Sequence, residues 1–202
     1  MVAVSTKSKL QSMKSSTRLF IEPPLAEGEL LSLASEAECR YVADFRQERR
    51  RREALMWRYI VRRELGEDVE IAYNENGAPV LLNRKESIGV SHSADFVAVV
   101  ISDKRCTVDI ERLDRNFDRV AERYIRPEEQ SLSQDCRLAA AVWCAKEALY
   151  KYSDEVGLDF LRDVKVLSVD FDRGLIVGQI KDNLPVDMRM MFHSDNVVVY
   201  IA

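Results

Sequence analysis

Three short stretches of this chain carry residue types that could handle phosphate and a metal ion. In Thr107-Val108-Asp109-Ile110-Glu111 the two-residue period of a strand sends Val108 and Ile110 to one face and both carboxylates to the other. Carboxylates that close repel, and one takes up a proton unless a cation sits between them. Oxygen ligands favour a hard divalent ion, and Mg²⁺ commonly takes one or two carboxylates together with substrate phosphates. The same pattern also describes a half-exposed strand whose polar side faces water. Trp143, Glu147 and Lys151 recur at i, i+4 and i+8, which aligns them along one side of a helix, with Lys146 one step round. As a surface pair, Glu147 and Lys151 would contribute only about 0.3–0.5 kcal/mol. The helix is otherwise rich in alanine, valine and leucine, so this charged row must face either solvent or a cleft. The third stretch, Ser91-His92-Ser93, ends an apolar run just after Gly89-Val90. Its hydroxyls and imidazole N–H could donate to phosphate oxygens, although a purely structural histidine has the same appearance. A hydrolase triad is not indicated: there is no GxSxG elbow, and the only other histidine is His193.

These residues need elements to hold them, and hydrophobic spacing outlines such elements. A short strand is expected at residues 18–22, stopped by Pro23-Pro24, followed by one helix over residues 27–45 with Leu30, Leu33, Ala37 and Tyr41 at helical spacing. A second, basic helix runs over residues 47–65 and closes at Gly66. Alternation then takes over at Val69, Ile71 and Tyr73 before the turn Asn74-Glu75-Asn76-Gly77. Short apolar strands are expected at residues 87–91, 96–101 and 106–111, with a hairpin turn at Ser102-Asp103-Lys104-Arg105 joining the last two. A helical pattern covers residues 117–123, and the strongest helix in the chain is 137–153. Four strands, 164–170, 175–180, 186–192 and 197–201, complete the chain.

The chain has 202 residues, 47% of them hydrophobic, enough for a buried core in one domain or two small lobes. Cys39, Cys106, Cys136 and Cys144 show no metal-ligand spacing and read as reduced thiols of a cytoplasmic protein. No stretch approaches the roughly 18 apolar residues of a membrane span, and residues 1–17 read as a polar, flexible tail without the apolar core of an export signal. The formal net charge of −4 conceals a basic segment, residues 40–63, where nine arginines face only Asp44, Glu48 and Glu53. A local anion site explains such a segment, as does a solvated helix face; general nucleic-acid binding would be expected to charge a whole surface.

Taken together and in order, Ser91-His92-Ser93, Val108-Asp109-Ile110-Glu111 and Trp143-Cys144-Ala145-Lys146-Glu147-Ala148-Leu149-Tyr150-Lys151 resemble the 4'-phosphopantetheinyl transferase family of the surfactin-synthetase-activating type. That family shows a Ser-His-Ser turn, a (V/I)-D-(I/V)-E strand and a W-x-x-K-E-x-x-x-K helix, and the resemblance spans about residues 76–159. It implies an α+β fold of two similar lobes related by a pseudo-twofold axis, each a small, mainly antiparallel sheet packed on a long helix. The lobes would be residues 18–111 and 112–202, with coenzyme A in the cleft between them. It implies that Asp109, Glu111 and Glu147 hold Mg²⁺ and that Lys151, Ser91 and His92 contact the coenzyme A phosphates. Glu147, Lys151 and His92 would be catalytic, and Arg49 and Arg50 would hold the 3'-phosphate. The implied reaction moves 4'-phosphopantetheine to a serine of an apo acyl or peptidyl carrier protein, leaving adenosine 3',5'-bisphosphate, in a cytoplasmic monomer with no nucleic-acid or membrane partner.

The chain departs from the family pattern at Gly77-Ala78-Pro79, where a lysine is usual at the middle position, and at Thr107, where a glycine is usual. Either Arg84 or Lys85 supplies the missing cation, or coenzyme A binds more weakly. The residues also accommodate a Mg²⁺-dependent phosphohydrolase with water as nucleophile and, less readily, a nucleic-acid-binding module built on the arginine helix.

Overall fold

The computed structural model describes residues 16–202. Residues 1–15 of the expected tail lie outside the described residues, while Thr17 already opens strand β1 (Thr17–Glu22). The single helix expected over residues 27–45 is two, α1 (Glu27–Leu33) and α2 (Glu36–Ala43). Ser35 divides them. Its hydroxyl accepts the Glu38 N–H, and the Glu38 carboxylate accepts the Ser35 N–H, a reciprocal cap that starts a new helix. The basic helix α3 (Glu48–Leu65) ends at Gly66, whose φ of +107° suits glycine. A hairpin of β2 (Ile71–Tyr73) and β3 (Pro79–Leu81) follows, and the sequence pattern had signalled only its first strand. The chain then runs through β4 (Ser87–His92), β5 (Val97–Ser102), β6 (Thr107–Arg112), a 3₁₀ turn (Asp118–Arg123), α4 (Pro127–Gln130) and α5 (Leu138–Ser153). Strands β7 (Val164–Asp170), β8 (Leu175–Ile180), β9 (Val186–His193) and β10 (Asn196–Ile201) form its last part. No helix among the described residues is long and apolar enough to cross a membrane.

The strands make an α+β fold with antiparallel sheets. One has the order β1-β5-β4, another β6-β10-β9-β8-β7, and β2-β3 stands apart. Strand β6 belongs by sequence to the expected first lobe, but it hydrogen-bonds to β10, with Val199 opposite Asp109 and Val197 opposite Glu111. The acid-bearing strand is therefore the edge of the five-stranded sheet of the second half, and a boundary at Glu111 cuts through the pairing.

Alternation along the strands sets up four layers. Val97, Val99 and Ile101 of β5 pack with Ile60, Val61 and Met56 of α3. Ala98 and Val100, on the other face of β5, meet Val108, Ile110 and Val198 of the second sheet. Val197, Val199 and Ile201 turn away from that junction towards Ala141, Ala145 and Ala148 of α5. The order is helix, sheet, sheet, helix, and fully burying each branched side chain contributes roughly 1.5–3 kcal/mol. The face of β6 that carries Asp109 and Glu111 is consequently the one turned to α5.

Two local devices fix the layers around these acids. At Gly89 of β4, an added Cβ would lie 2.5 Å from Thr107 Cα, so only glycine lets β4 rest on β6 this closely. Ser91, two residues further along the same face, then reaches the level of Asp109. On the far side of α5, Lys146 is fully buried, paired with Glu129 at 2.8 Å and donating to the Phe160 carbonyl at 2.8 Å. Glu129 also accepts the Val166 N–H at 2.8 Å and the Arg126 N–H at 2.9 Å, which ties α4, α5 and β7 together. Removing one partner of a buried pair strands the other charge, so Glu129→Ala should destabilise the chain by about 3–5 kcal/mol in urea unfolding. The double substitution Glu129→Leu with Lys146→Met should recover most of that loss; if the double variant is no more stable than the single one, the pair is not what binds these elements.

Candidate active site

The small residues of α5 allow the helix to lie close on β6, and its longer side chains then meet the strand's carboxylates. Lys151 Nζ donates to Asp109 Oδ1 at 2.6 Å, to Ser91 Oγ at 3.1 Å and to the Val108 carbonyl at 3.3 Å. Ser91 Oγ in turn donates to the same Asp109 oxygen at 2.9 Å. One contact thus joins β4, β6 and α5. Asp109 is buried, and its other oxygen, Oδ2, has no hydrogen-bond partner among the described residues.

Glu111 Oε1 accepts from Trp143 Nε1 at 2.8 Å and from the Arg115 guanidinium at 2.5 Å. Glu147 makes neither a hydrogen bond nor an ion pair among the described residues. Burial, and then the negative charges of Asp109 and Glu111, push its pKa above the ordinary carboxylate value, against the pull of Lys151 and Arg115. For Lys151, desolvation works against the charged form, but Asp109 and Glu147 outweigh it and raise its pKa, so the ammonium is kept. The three acids share one neighbourhood, yet no group of three His, Cys, Asp or Glu side chains among the described residues forms a ready metal cage. The reason lies in the contacts above: Asp109 is turned to Lys151 and Ser91, and Glu111 to Trp143 and Arg115.

Ser91 and His92, named together from sequence, part company. Strand alternation puts Ser91 on the Asp109 side and His92 on the other, where it is half exposed with Nδ1 3.5 Å from Glu53 Oε1. Arg49 joins that second group, donating to Glu53 at 2.6 Å and to the Ser93 carbonyl at 3.3 Å. Arg50 is exposed and lies 5.5 Å over the Phe45 ring, with no contact to either group.

Most of the arginine-rich helix does structural work. Arg51 binds Glu27 and the Phe45 carbonyl, and Arg52 binds the carbonyls of Leu25 and Pro24. Arg58 donates to the Tyr73 hydroxyl and lies over Tyr41 and Trp57. Arg62 pairs with Glu38 and Glu67, and Arg63 with Glu22. Glu27, Glu38, Glu67 and Glu22, all outside the segment, thus pair with Arg51, Arg62 and Arg63, which a local charge count does not see.

A cleft of about 300 Å³ opens beside Lys151, walled by Ala78, Pro79, Gly89 and Val90 on one side and Tyr150 and Val156 on the other. Its rim is clasped. Asn74 Nδ2 donates to the Asp154 carboxylate at 3.0 Å, and Asn76 Nδ2 to the Asp154 carbonyl at 2.6 Å, so the tip of the β2-β3 hairpin is held to the end of α5. Asp154 takes φ +57° there. The cleft continues past Lys151 into a region lined by Arg84, Lys85 and Arg105. Arg84 is committed to Asp68 and the Leu65 carbonyl, which leaves Lys85 and Arg105 as the cations facing that end. The sequence marks Asn74 and Asn76 only as part of the turn at residues 74–77 and Arg105 only as part of the turn at residues 102–105, and it gives no signal for Asp154.

Residues 105–195, somewhat under half of the chain, match the family model of the 4'-phosphopantetheinyl transferase superfamily. The matched segment contains Asp109, Glu111, Glu147 and Lys151, whereas Arg49, Arg50, Ser91 and His92 lie before it. No curated protein matches the chain.

The raised pKa of Glu147 gives a signed expectation. Its ionisation is less favourable in the folded chain than in the unfolded one, so stability is lost as pH rises from the ordinary carboxylate value, about 4.3, through the raised one. Without added Mg²⁺, Glu147→Gln should therefore melt at a higher temperature than the parent at neutral pH, and the difference should close as pH falls below about 4.3. A pH-independent difference in melting temperature would mean that Glu147 carries no such burden.

Proposed function

We propose that this chain transfers the 4'-phosphopantetheine group of coenzyme A to a serine of an apo acyl or peptidyl carrier protein, releasing adenosine 3',5'-bisphosphate. The observation that carries this reading is the meeting of Asp109, Glu147 and Ser91 around Lys151, which itself lines the cleft. The superfamily match over residues 105–195 supports phosphopantetheine transfer in general, and the three ordered motifs support the surfactin-synthetase-activating type and the holo-acyl-carrier-protein synthase activity. On this reading the protein works as a cytoplasmic monomer.

Mg²⁺ fits the residues present. The donor set is all oxygen, and among the described residues Asp109 Oδ2 is buried without a hydrogen-bond partner and Glu147 makes no hydrogen bond or ion pair. Asp109, Glu111 and Glu147 would hold it. When bound, Mg²⁺ supplies charge neutralisation to the diphosphate.

The remaining chemistry falls to the chain's own groups. Lys151 keeps its ammonium through Asp109 and Glu147 and presents it at the cleft, where it would stabilise negative charge on the departing bisphosphate. Glu147 would accept the proton of the carrier serine hydroxyl as that oxygen bonds to phosphorus. The bond from the same phosphorus to the bridging oxygen breaks, and the nucleotide leaves with the electron pair. Ser91 holds Lys151 and Asp109 in register. The Gly89-Val90 and Ala78-Pro79 wall, clasped by Asn74 and Asn76, would limit water around the reacting phosphate. Arg49 and His92, grouped around Glu53, would contact the 3'-phosphate, with Arg50 in reserve on the same helix.

Incubating the purified chain with coenzyme A, Mg²⁺ and a panel of apo carrier proteins should add the mass of one phosphopantetheine group to at least one carrier. Coenzyme A consumed while every carrier keeps its mass would instead establish a hydrolase. Glu147→Gln should lower loading by about 10²–10⁴-fold, the usual worth of a general base. Near-normal loading by that variant would refute the role given to Glu147.

A further inference from the structure

Two donors converge on one oxygen of Glu111. Trp143 Nε1 reaches Oε1 at 2.8 Å and the Arg115 guanidinium reaches the same atom at 2.5 Å, while Oε2 has no protein donor among the described residues. Neither donor is a loose surface contact. The indole meets Tyr124 edge to face at 4.9 Å, and Tyr124 is itself buried. Phe160 closes another side at 5.7 Å. The Arg115 guanidinium lies 4.9 Å over the indole and 5.5 Å over the Phe117 ring, so aromatic stacking aims a side chain that is otherwise nearly half exposed. Aromatic packing thus fixes the indole, the indole fixes the guanidinium, and both hold a single carboxylate oxygen.

We propose that Trp143 and Arg115 are positioning residues that pin Glu111 by Oε1 and leave Oε2 for the divalent cation. The inference rests on the reading above, in which Glu111 is a ligand. A carboxylate already held through one oxygen has less freedom to lose when the other binds a metal. Loss of such outer partners typically weakens metal binding about 10–100-fold. Trp143 therefore has a polar duty beyond the aromatic core: phenylalanine would keep most of its packing and lose the N–H.

Calorimetric titration of Mg²⁺ into the whole chain tests this without any turnover. Trp143→Phe and Arg115→Gln should each raise the Mg²⁺ dissociation constant about tenfold or more. Arg115→Lys should recover part of the Arg115 loss, because it restores a donor without the stacked planar fork. A residue that only packs would lower the melting temperature and leave the Mg²⁺ constant unchanged, and that result for both variants overturns the inference. Should Trp143→Phe fail to fold, the exposed Arg115→Gln still decides the matter. Glu147→Gln separates the two levels. If it weakens Mg²⁺ binding while Trp143→Phe and Arg115→Gln do not, the proposed function stands and only the positioning role falls. If the parent chain binds no Mg²⁺ at all, the ligand assignment fails and takes this inference with it.

Discussion

The contact of Lys151 with Asp109 and Ser91 is the interaction on which the site depends, because it fixes α5 to β6 and, through Ser91, to β4 of the first sheet. A buried carboxylate without compensation is expensive, and Asp109 is buried under α5. Lys151 and Ser91 answer that cost at one oxygen only, 2.6 and 2.9 Å away, and leave the second oxygen unmet. Around it the charges do not balance: Asp109, Glu111 and Glu147 face Lys151 and Arg115, and burial, with the neighbouring negative charges, raises the pKa of Glu147. A site built this way is stable enough to fold and still favours the arrival of a cation.

Helix α5 carries lysines of opposite kinds, and its geometry separates them. Lys146 and Lys151 stand five residues apart, about 140° round the helix at 100° per residue. Lys146 is directed into the second half, against Glu129 and Phe160, where it fixes the rotation of the helix about its axis. That rotation in turn presents Trp143, Glu147 and Lys151 to β6. The buried pair and the cleft-facing row are thus mechanically linked, although they touch different parts of the protein and only the row bears on the chemistry.

The parts of this arrangement that follow from short periods were legible in the sequence. Alternation in residues 107–111 separated Val108 and Ile110, which pack against the first sheet, from Asp109 and Glu111, which face α5. The i, i+4 spacing placed Trp143, Glu147 and Lys151 along one helix face. The same alternation, applied to β4, would have put Ser91 and His92 on opposite sides, where the structure places them. Features that depend on distant partners were not legible. The arginines of α3 read as one basic patch because Glu22, Glu27, Glu38 and Glu67, which neutralise them, come from four other places in the chain. The pairing of β6 with β10 joins residues some ninety positions apart, and no local pattern encodes it. The break at Ser35 was visible in principle, since Ser35 and Glu38 form a capping box, but the apolar spacing ran on across it.

The cleft has walls of different standing. Lys151, Tyr150 and Asp154 come from residues 105–195, the segment that matches the superfamily model, as do the acids beside Lys151. Ala78, Pro79, Gly89 and Val90 come from outside it, as does the hairpin tip clasped to Asp154. The first wall bears Lys151, whose ammonium is held by Asp109 and Ser91. The second is mostly small and apolar, so it can restrict the shape and hydration of a bound molecule without taking part in the reaction. Where a lysine is usual, Ala78 adds no charge, and the cations at that end come from Lys85 and Arg105. Positive charge along the cleft therefore comes from both walls, Lys85 before the matched segment and Arg105 and Lys151 within it.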